Sequence, residues 1–391
     1  MNIQSLISSK YIDEFIIGEE LHHGCIQITP YRNKEYIKKF QKGFLLGADN
    51  DFAESSGYID PEQNIKLNKF NIEKPGVVSQ GYLFNVGFGL SVHDISFNAI
   101  ANLSYKNLKY GEPVYEGDVL FGKSKVIGIE VKKDGASNGS VQVKTIITNQ
   151  RDEVVIEYVR QVLLRATPGV KMNAISNLEI QPKDIDLNLL VLPKEFKNLS
   201  KDSLGNEGKA FEDFKVNEKY HGNFQKSINL VDFSWLQIST LNDASVHHNP
   251  NSNFIGYGGA IKSTVEGEIS CHMPHAYFLG MLSGSHDAPT YPGNIIQSLF
   301  NSKNNDDEKI LGSFVVKEMM EINNRNDLGI LKIELIGEKI VTEAGMKAFE
   351  KARQDAHYQE IVDKNEKMEQ DKQDYDMESE QLWNEIEEAE I

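Results

Sequence analysis

Three runs of alternating apolar and polar residues stand close together in the first half of the chain: Val119–Glu130, Val141–Asn149 and Val154–Leu164. A side-chain period of two over such lengths predicts strands. The links between them, around Asp134-Gly135 and Asn149-Gln150-Arg151-Asp152, are short and polar, which favours an antiparallel meander over parallel strands joined by crossover helices. Ahead of the strands, Ser91–Ser104 spaces Ile95, Ala99 and Leu103 four residues apart, the apolar stripe of a helix. The same order returns later: a helix is predicted over about Ala260–Tyr277, then strands over Ile295–Ser302, Ile310–Asn323 and Leu328–Val341.

Short echoes tie the halves together. Asp13-Glu14-Phe15-Ile16-Ile17-Gly18-Glu19 has a weak counterpart in Glu212-Asp213-Phe214-Lys215-Val216-Asn217-Glu218, and Pro113-Val114-Tyr115-Glu116-Gly117-Asp118 has one in Pro289-Thr290-Tyr291-Pro292-Gly293-Asn294. Repetition of this kind points to two copies of one module. We place them at 1–168 and 205–342, joined by a linker over 169–204 that has little periodicity and is expected to cross the outside of the molecule. One helix wrapped by an antiparallel sheet is a hot dog, so the expected fold class is α+β, a double hot dog. The remainder, 343–391, is rich in Glu, Gln, Lys and Asp and reads as a charged helix or two fraying to disorder, a solvated appendage.

Charge narrows the choice of partner. The chain has 391 residues, a net charge of −17 and a pI near 5.1, which argues against nucleic acid or an anionic membrane as its main partner. Roughly ten of those excess acidic charges fall after Thr342, so the two modules are only mildly acidic. Cys25 and Cys271 stand far apart with no second cysteine beside either. That suits a reducing compartment and argues against a disulfide framework or a zinc site. With no signal-like start and no apolar run of membrane-spanning length, a cytoplasmic setting is expected.

The densest chemistry lies in Leu241-Asn242-Asp243-Ala244-Ser245-Val246-His247-His248-Asn249-Pro250, followed by Tyr257-Gly258-Gly259. A neutral imidazole with a polar partner five residues away suits acid–base work near neutral pH. A glycine pair opening a helix lets backbone N–H groups and the positive dipole end approach a ligand oxygen. Two registers fit: His247 with Asn242, or His248 with Asp243.

Other residues show a resemblance. Gly87-Phe88-Gly89-Leu90-Ser91-Val92-His93-Asp94-Ile95-Ser96-Phe97-Asn98-Ala99-Ile100-Ala101-Asn102-Leu103, the Pro113–Asp118 run, Asn149-Gln150 and Tyr158-Val159-Arg160 resemble the mesaconyl-CoA hydratase (β-methylmalyl-CoA dehydratase) family of the MaoC-like (R)-specific enoyl-CoA hydratase superfamily. In the second half Asp243–His247, Tyr257-Gly258-Gly259 and Ser283-Gly284-Ser285-His286 agree more loosely. The resemblance spans about 10–342.

The wider family uses an Asp-x-Asn-Pro-x-His loop in which carboxylate and imidazole share activation of a water. The resemblance therefore implies His247 as general base, with Asn242 or Asp243 holding the water or the ring, and the amide of Gly259 (or Gly258) as oxyanion donor. Asn242 stands where most hydratases have Asp, and Ala244-Ser245 where they have Asn-Pro. Gly258, His248 and His286 are the expected substrate contacts. No metal, flavin or nicotinamide is implied. The expected activity is hydration of a branched dicarboxyl-CoA thioester. A general (R)-3-hydroxyacyl-CoA or itaconyl-type dehydratase is the alternative, and a non-catalytic acyl-CoA-binding scaffold is a third reading. A cation facing the acyl pocket would favour the dicarboxylate. A homo-oligomer is expected.

The first copy is catalytically bare in this reading, its lead-in Lys34–Phe52 having no His. His22, His23, His93, His221, His272 and His275 are read as scaffold. Asp94 and Asn98 are read as capping or interhelix hydrogen-bonding groups one turn apart on a helix, and Gly87 with Gly89 as the turn that mirrors Gly258-Gly259.

Overall fold

The computed structural model describes residues 10–40, 44–58, 75–192, 208–221, 224–247, 255–286, 290, 295–298 and 313–340. The expected tail at 343–391, His248 and most of the Pro289–Asn294 turn lie outside them.

The first half contributes β1 (Glu20–Gln27), β2 (Ala99–Tyr110), β3 (Val119–Val131), β4 (Asn138–Asn149), β5 (Val154–Arg165) and the two-residue β6 (Ile175–Ser176). The second contributes β7 (Lys219–His221), β8 (Phe224–Ser227), β9 (Gly280–Gly284), β10 (Ile295–Ser298), β11 (Ser313–Ile322), β12 (Arg325–Ile336) and β13 (Glu338–Ile340). All the strand pairings are antiparallel. The large sheet runs β1-β3-β4-β5-β2-β9, with β6 on the outer side of β3. Its last strand belongs to the other half: β9 pairs with β2 through Tyr105↔Gly284 and Leu108↔Met281. Two smaller sheets, β13-β10-β8 and β12-β11-β7, complete the second half. The described part of the expected linker, residues 169–192, is exposed or half-buried and is tied to the large sheet. It starts as β6 on the large sheet, and Gln142 ties it further through both ends of its carboxamide, to the Glu179 N–H and C=O.

The central helices are displaced from the positions the periodicity suggests. The first is Gln80–Leu90, with ten of its eleven residues buried; the second is Gly258–Gly267, continued by a tight turn over Glu268–Cys271. Ser91–Ser104 instead holds a one-turn helix, Val92–Ile95, and the start of β2. The misleading signal has a simple origin. Residues four apart share a helix face, but they also share a strand face, and Ala99 and Leu103 belong to a strand. The true helix is buried on nearly all sides, so its apolar residues form no single stripe. Asp94 and Asn98 therefore do not share a helix: Asp94 is in the short helix and Asn98 in the turn beyond it.

Gly87 and Gly89 also lie inside the first central helix rather than in a turn. A Cβ on Gly89 would sit 1.8 Å from the Thr240 carbonyl oxygen, so at this point the helix meets the end of another, Leu230–Thr240, backbone to backbone. The halves share one main apolar cluster that includes Phe84, Phe88, Tyr158, Phe233, Leu236, Tyr257 and Ala260.

The weak echo near each module's start has matching local structure. Ile12–Glu14 and Phe211–Asp213 are both 3-10 turns. In each, the third residue's carboxylate accepts the N–H of the residue before the turn, Tyr11 to Glu14 at 2.6 Å and Ala210 to Asp213 at 3.0 Å. Gly18 and Asn217 then take φ of 92° and 64°, and their N–H groups donate to Val126 of β3 and Val316 of β11. No helix among the described residues is long and apolar enough to cross a membrane.

Candidate active site

The helix Leu230–Thr240 ends on Leu241 in the left-handed region (φ 60°), which turns the chain sharply inward. Asn242 follows, 1 % exposed. Its N–H donates to the Gln237 carbonyl, and its side-chain oxygen accepts the Ala244 N–H at 3.2 Å, an Asx turn of the kind that lets Asn set a tight bend. A single 3-10 turn, Ser245–His247, comes next. It is braced from the other half of the chain, because the Ser245 N–H and hydroxyl both donate to the Phe97 carbonyl, at 3.0 and 2.8 Å.

His247 ends this turn with Nδ1 2.7 Å from the Ile255 carbonyl oxygen. A carbonyl only accepts, so Nδ1 carries the proton and the lone pair falls to Nε2. The ring lies 5.6 Å, centroid to centroid, from Tyr257, the residue that precedes the second central helix. Tyr257 is 2 % exposed, with its phenol beside the Asn242 side chain. Burial, reinforced by the neighbouring phenol of Tyr105, pushes Tyr257 well above the usual phenol range, and Asn242 acts the other way. It remains a neutral hydroxyl at physiological pH.

Gly258 and Gly259 open the helix, where backbone N–H groups lie ahead of the first intrahelical bonds and the dipole is positive. Gly259 has no room for a side chain, and at Gly258 one would require His286 to move. A Cβ on Gly259 would lie 2.0 Å from Asn85 Oδ1 and 2.4 Å from Tyr257 Cζ; one on Gly258 would lie 2.8 Å from His286 Nε2. His286, which follows β9, thus rests on the helix start, and its ring meets Tyr105 of β2 edge-on at 5.9 Å.

Asn242, His247, Gly258, Gly259 and His286 therefore converge around Tyr257. Asp243 does not join them. Its carboxylate turns to the first half and pairs with His93 Nδ1 at 2.9 Å, both side chains about half-exposed. His23 is a scaffold histidine, with Nδ1 2.7 Å from Asp94 and Nε2 2.8 Å from Ser124. In the first half, Gln80 and Gly81 stand where the second has Gly258 and Gly259. The Gln80 carboxamide there is bonded to the backbone N–H and C=O of Phe278, which ties that helix start into the scaffold. Among the described residues no cluster of three His, Cys, Asp or Glu side chains is placed to hold a metal.

Several neighbours of the site were assigned no chemical role by the sequence reading: Asn85, Phe88, Tyr105 and Arg160. For one of them a signal existed. On β5 the inward positions are Ile156, Tyr158, Arg160, Val162 and Leu164, all buried, and a charge at that parity in an alternating strand is conspicuous.

No family model matches the chain. The β-methylmalyl-CoA dehydratase of Chloroflexus aurantiacus is 28% identical to it over 343 residues, 84% of this chain and 88% of that protein. The mesaconyl-CoA hydratase of Cereibacter sphaeroides is 24% identical over 300 residues, 74% of this chain and 82% of that protein. Among solved structures, a putative MaoC domain protein dehydratase from Chloroflexus aurantiacus matches with a TM-score of 0.71 at 26% identity, covering 85% of this chain and 89% of the other. A conserved protein of Mycobacterium tuberculosis with a double hotdog fold matches at 0.68 and 16% identity, covering 86% and 94%, a likeness of fold alone. The chain is an α+β double hot dog, structurally akin to the MaoC-like dehydratases and related over most of its length to a mesaconyl-CoA hydratase and a β-methylmalyl-CoA dehydratase.

Proposed function

We propose that this chain adds water reversibly across the double bond of mesaconyl-CoA to give β-methylmalyl-CoA. The coarser statement, a hydro-lyase acting on a CoA thioester, rests on two relatives of that activity aligned over 74–84% of the chain. The observation that supports the mechanism is the pairing of His247 Nδ1 with the Ile255 carbonyl, next to a helix that opens on two glycines; the choice of mesaconyl-CoA is supported by the activities of those two relatives.

In this mechanism Nε2 of His247 takes a proton from water, and the resulting hydroxide adds to the β-carbon. The electron pair of the double bond moves toward the thioester, whose carbonyl oxygen gains charge. The amide N–H of Gly259 (or Gly258) donates to that oxygen, an interaction whose loss typically costs ~10²–10³ in rate. The imidazolium then returns its proton at the α-carbon, so the net change is addition of one water. Asn242 cannot act as a base; it holds the water or the phenol of Tyr257 in place. Gly258 and His286 contact the substrate, as does His248. No cofactor beyond the thioester enters. A cytoplasmic setting and a homo-oligomer belong to the same reading, and light scattering on the purified protein tests the second.

The direct test follows absorbance at the enoyl-thioester band with mesaconyl-CoA and with crotonyl-CoA, wild type against His247→Ala. Loss of the band with mesaconyl-CoA, abolished by the substitution, is the expected result. Turnover of crotonyl-CoA alone would leave the mechanism standing and remove the dicarboxylate. A fully active variant would move the base elsewhere, and inertness toward every enoyl-CoA would favour a binding role.

A further inference from the structure

The helix Leu230–Thr240 is apolar on the side it turns to solvent. Val231 and Ile238, two turns apart, are 68 % and 70 % exposed, and Leu230 and Leu241 at its ends are 44 % and 45 % exposed. Trp235 lies between them, half-buried. At 3.6 residues per turn these positions share one face. Phe233 and Leu236 on the opposite face are already in the main apolar cluster. A helix apolar on both sides is normally covered on both, and a contiguous exposed stripe of this kind marks an interaction surface.

One edge of the stripe is cationic. The helix Pro30–Phe40 packs beside it, with Lys39 Nζ 3.1 Å from Asp232 Oδ1 and 5.8 Å from the centre of the Trp235 ring. Arg32 is two turns before Lys39, on the same side of that helix. The helix carries Arg32, Lys34, Lys38 and Lys39 against Glu35 alone.

The described chain ends close by. Ile295 of β10 pairs with Ser227 of β8 on one side and with Ile340 of β13 on the other. Adjacent strands are ~4.8 Å apart, which puts Ile340 about 10 Å from Ser227. Two residues after Ser227 comes Asn229, whose side chain caps the helix by accepting the Asp232 N–H. The tail therefore sets out next to the start of the exposed face. Over 373–391 the sequence has eight Asp or Glu and no Lys or Arg, and it sets Leu382, Trp383 and Ile386 at the spacing of one helix face. The 41 residues between Ile340 and Leu382 are ample to bring them along a helix about 16 Å long.

We infer that the acidic tail docks on this helix of its own chain, with Leu382, Trp383 and Ile386 covering the Val231, Trp235 and Ile238 face and the carboxylates around them meeting the Arg32 and Lys39 edge. Apolar anchors on a face rimmed by opposite charge are the pattern of a helix-face contact. A second copy of the chain fits less well: one face of an eleven-residue helix offers well under the ~800 Å² per partner of a stable association. A tethered segment needs less area, because its effective concentration is in the millimolar range. The exposed face ends on Leu241, the residue before Asn242 of the candidate active site, so the docked tail also covers the entry to that loop.

The chain has two tryptophans, Trp235 and Trp383, one on each side of the contact. In the full chain carrying Trp235→Phe, fluorescence reports Trp383 alone. Its emission should be that of a shielded indole, and should move to the red when Val231→Glu and Ile238→Glu are added at two exposed positions where the fold loses little. Reciprocally, Leu382→Glu with Ile386→Glu should speed amide exchange across Leu230–Leu241. For a millimolar tethered concentration and a Kd of about 0.1 mM the change is about ten-fold. An exposed Trp383 in the starting chain overturns the inference, as does shielded emission that ignores the helix substitutions or exchange that ignores the tail substitutions. Light scattering distinguishes the other occupant: if Val231→Glu with Ile238→Glu lowers the particle mass while Trp383 stays unmoved, a second copy covers the face and the tail does not.

Discussion

His247 Nδ1 stands 2.7 Å from the backbone carbonyl of Ile255, eight residues further along the chain, and this contact fixes both the tautomer and the plane of the ring. A backbone partner cannot change protonation state, so the proton stays on Nδ1 and basicity is directed to Nε2. His247→Ala should lower kcat by about 10²–10⁴-fold, the usual span for a positioned general base. The fold loses one hydrogen bond, about 1 kcal/mol, so thermal unfolding should shift by only a few degrees. A loss of activity that tracks a large drop in Tm would instead mean that the ring is structural.

Asp243 offers a sharp choice between the two registers. Its carboxylate pairs with His93 in a half-exposed contact between the two halves, and exposed pairs contribute about 0–1 kcal/mol. Asp243→Asn should therefore leave kcat within a few-fold of wild type. Asn242→Ala should be far more damaging, since it removes the Asx turn onto Ala244 and the group facing the Tyr257 phenol; a fall in kcat of at least about ten-fold is expected from one lost buried contact. The reverse ranking in steady-state kinetics would place Asp243 in the chemistry.

The two glycines that begin the second central helix should respond differently to alanine. At Gly259 the new methyl meets Asn85 Oδ1 and the Tyr257 ring at 2.0 and 2.4 Å, and both are locked in the core. The helix start must move, with a cost of about 1–3 kcal/mol from overpacking and loss of the oxyanion geometry. At Gly258 the obstacle is the His286 ring at 2.8 Å, on a half-buried side chain that can swing aside. Gly258→Ala should raise KM more than it lowers kcat, whereas Gly259→Ala should depress kcat and Tm together. Chemical denaturation alongside kinetics on both variants checks the contrast.

How far the sequence discloses this molecule depends on which physical signal each element carries. The strands β3, β4 and β5 are legible because apolar and polar residues alternate along each sequence run, and in β3 burial alternates with them. The first central helix is not, because it is surrounded by core and its glycines answer to contacts from distant segments: Gly87 to Ile147, Gly89 to Thr240. The site divides in the same way. His247 and the glycine pair announce themselves through local spacing. The contribution of the first half, Phe97 bracing Ser245 and His93 turning Asp243 away, depends on how the two modules dock, which no local pattern encodes. Arg160 lies between these cases: its inward parity on β5 is visible in the sequence, but its position behind Phe88 is not.

His275 carries a prediction about stability rather than catalysis. It lies between the second central helix and β9, and its Nδ1 is buried without a hydrogen-bond partner among the described residues. Burial lowers its pKa below the ordinary value of 6.5. On acidification the unfolded chain therefore takes up a proton before the folded one does, and stability falls wherever the unfolded state binds more protons. The contribution is intact above about pH 6.5 and is lost as the pH drops through that value toward the lower folded one. His275→Phe removes the titration and the buried nitrogen together. Urea unfolding between about pH 7.5 and 5 should show a shallower decline for the variant than for wild type. Parallel curves would mean that the ring accepts its proton as readily in the folded protein as in the unfolded chain.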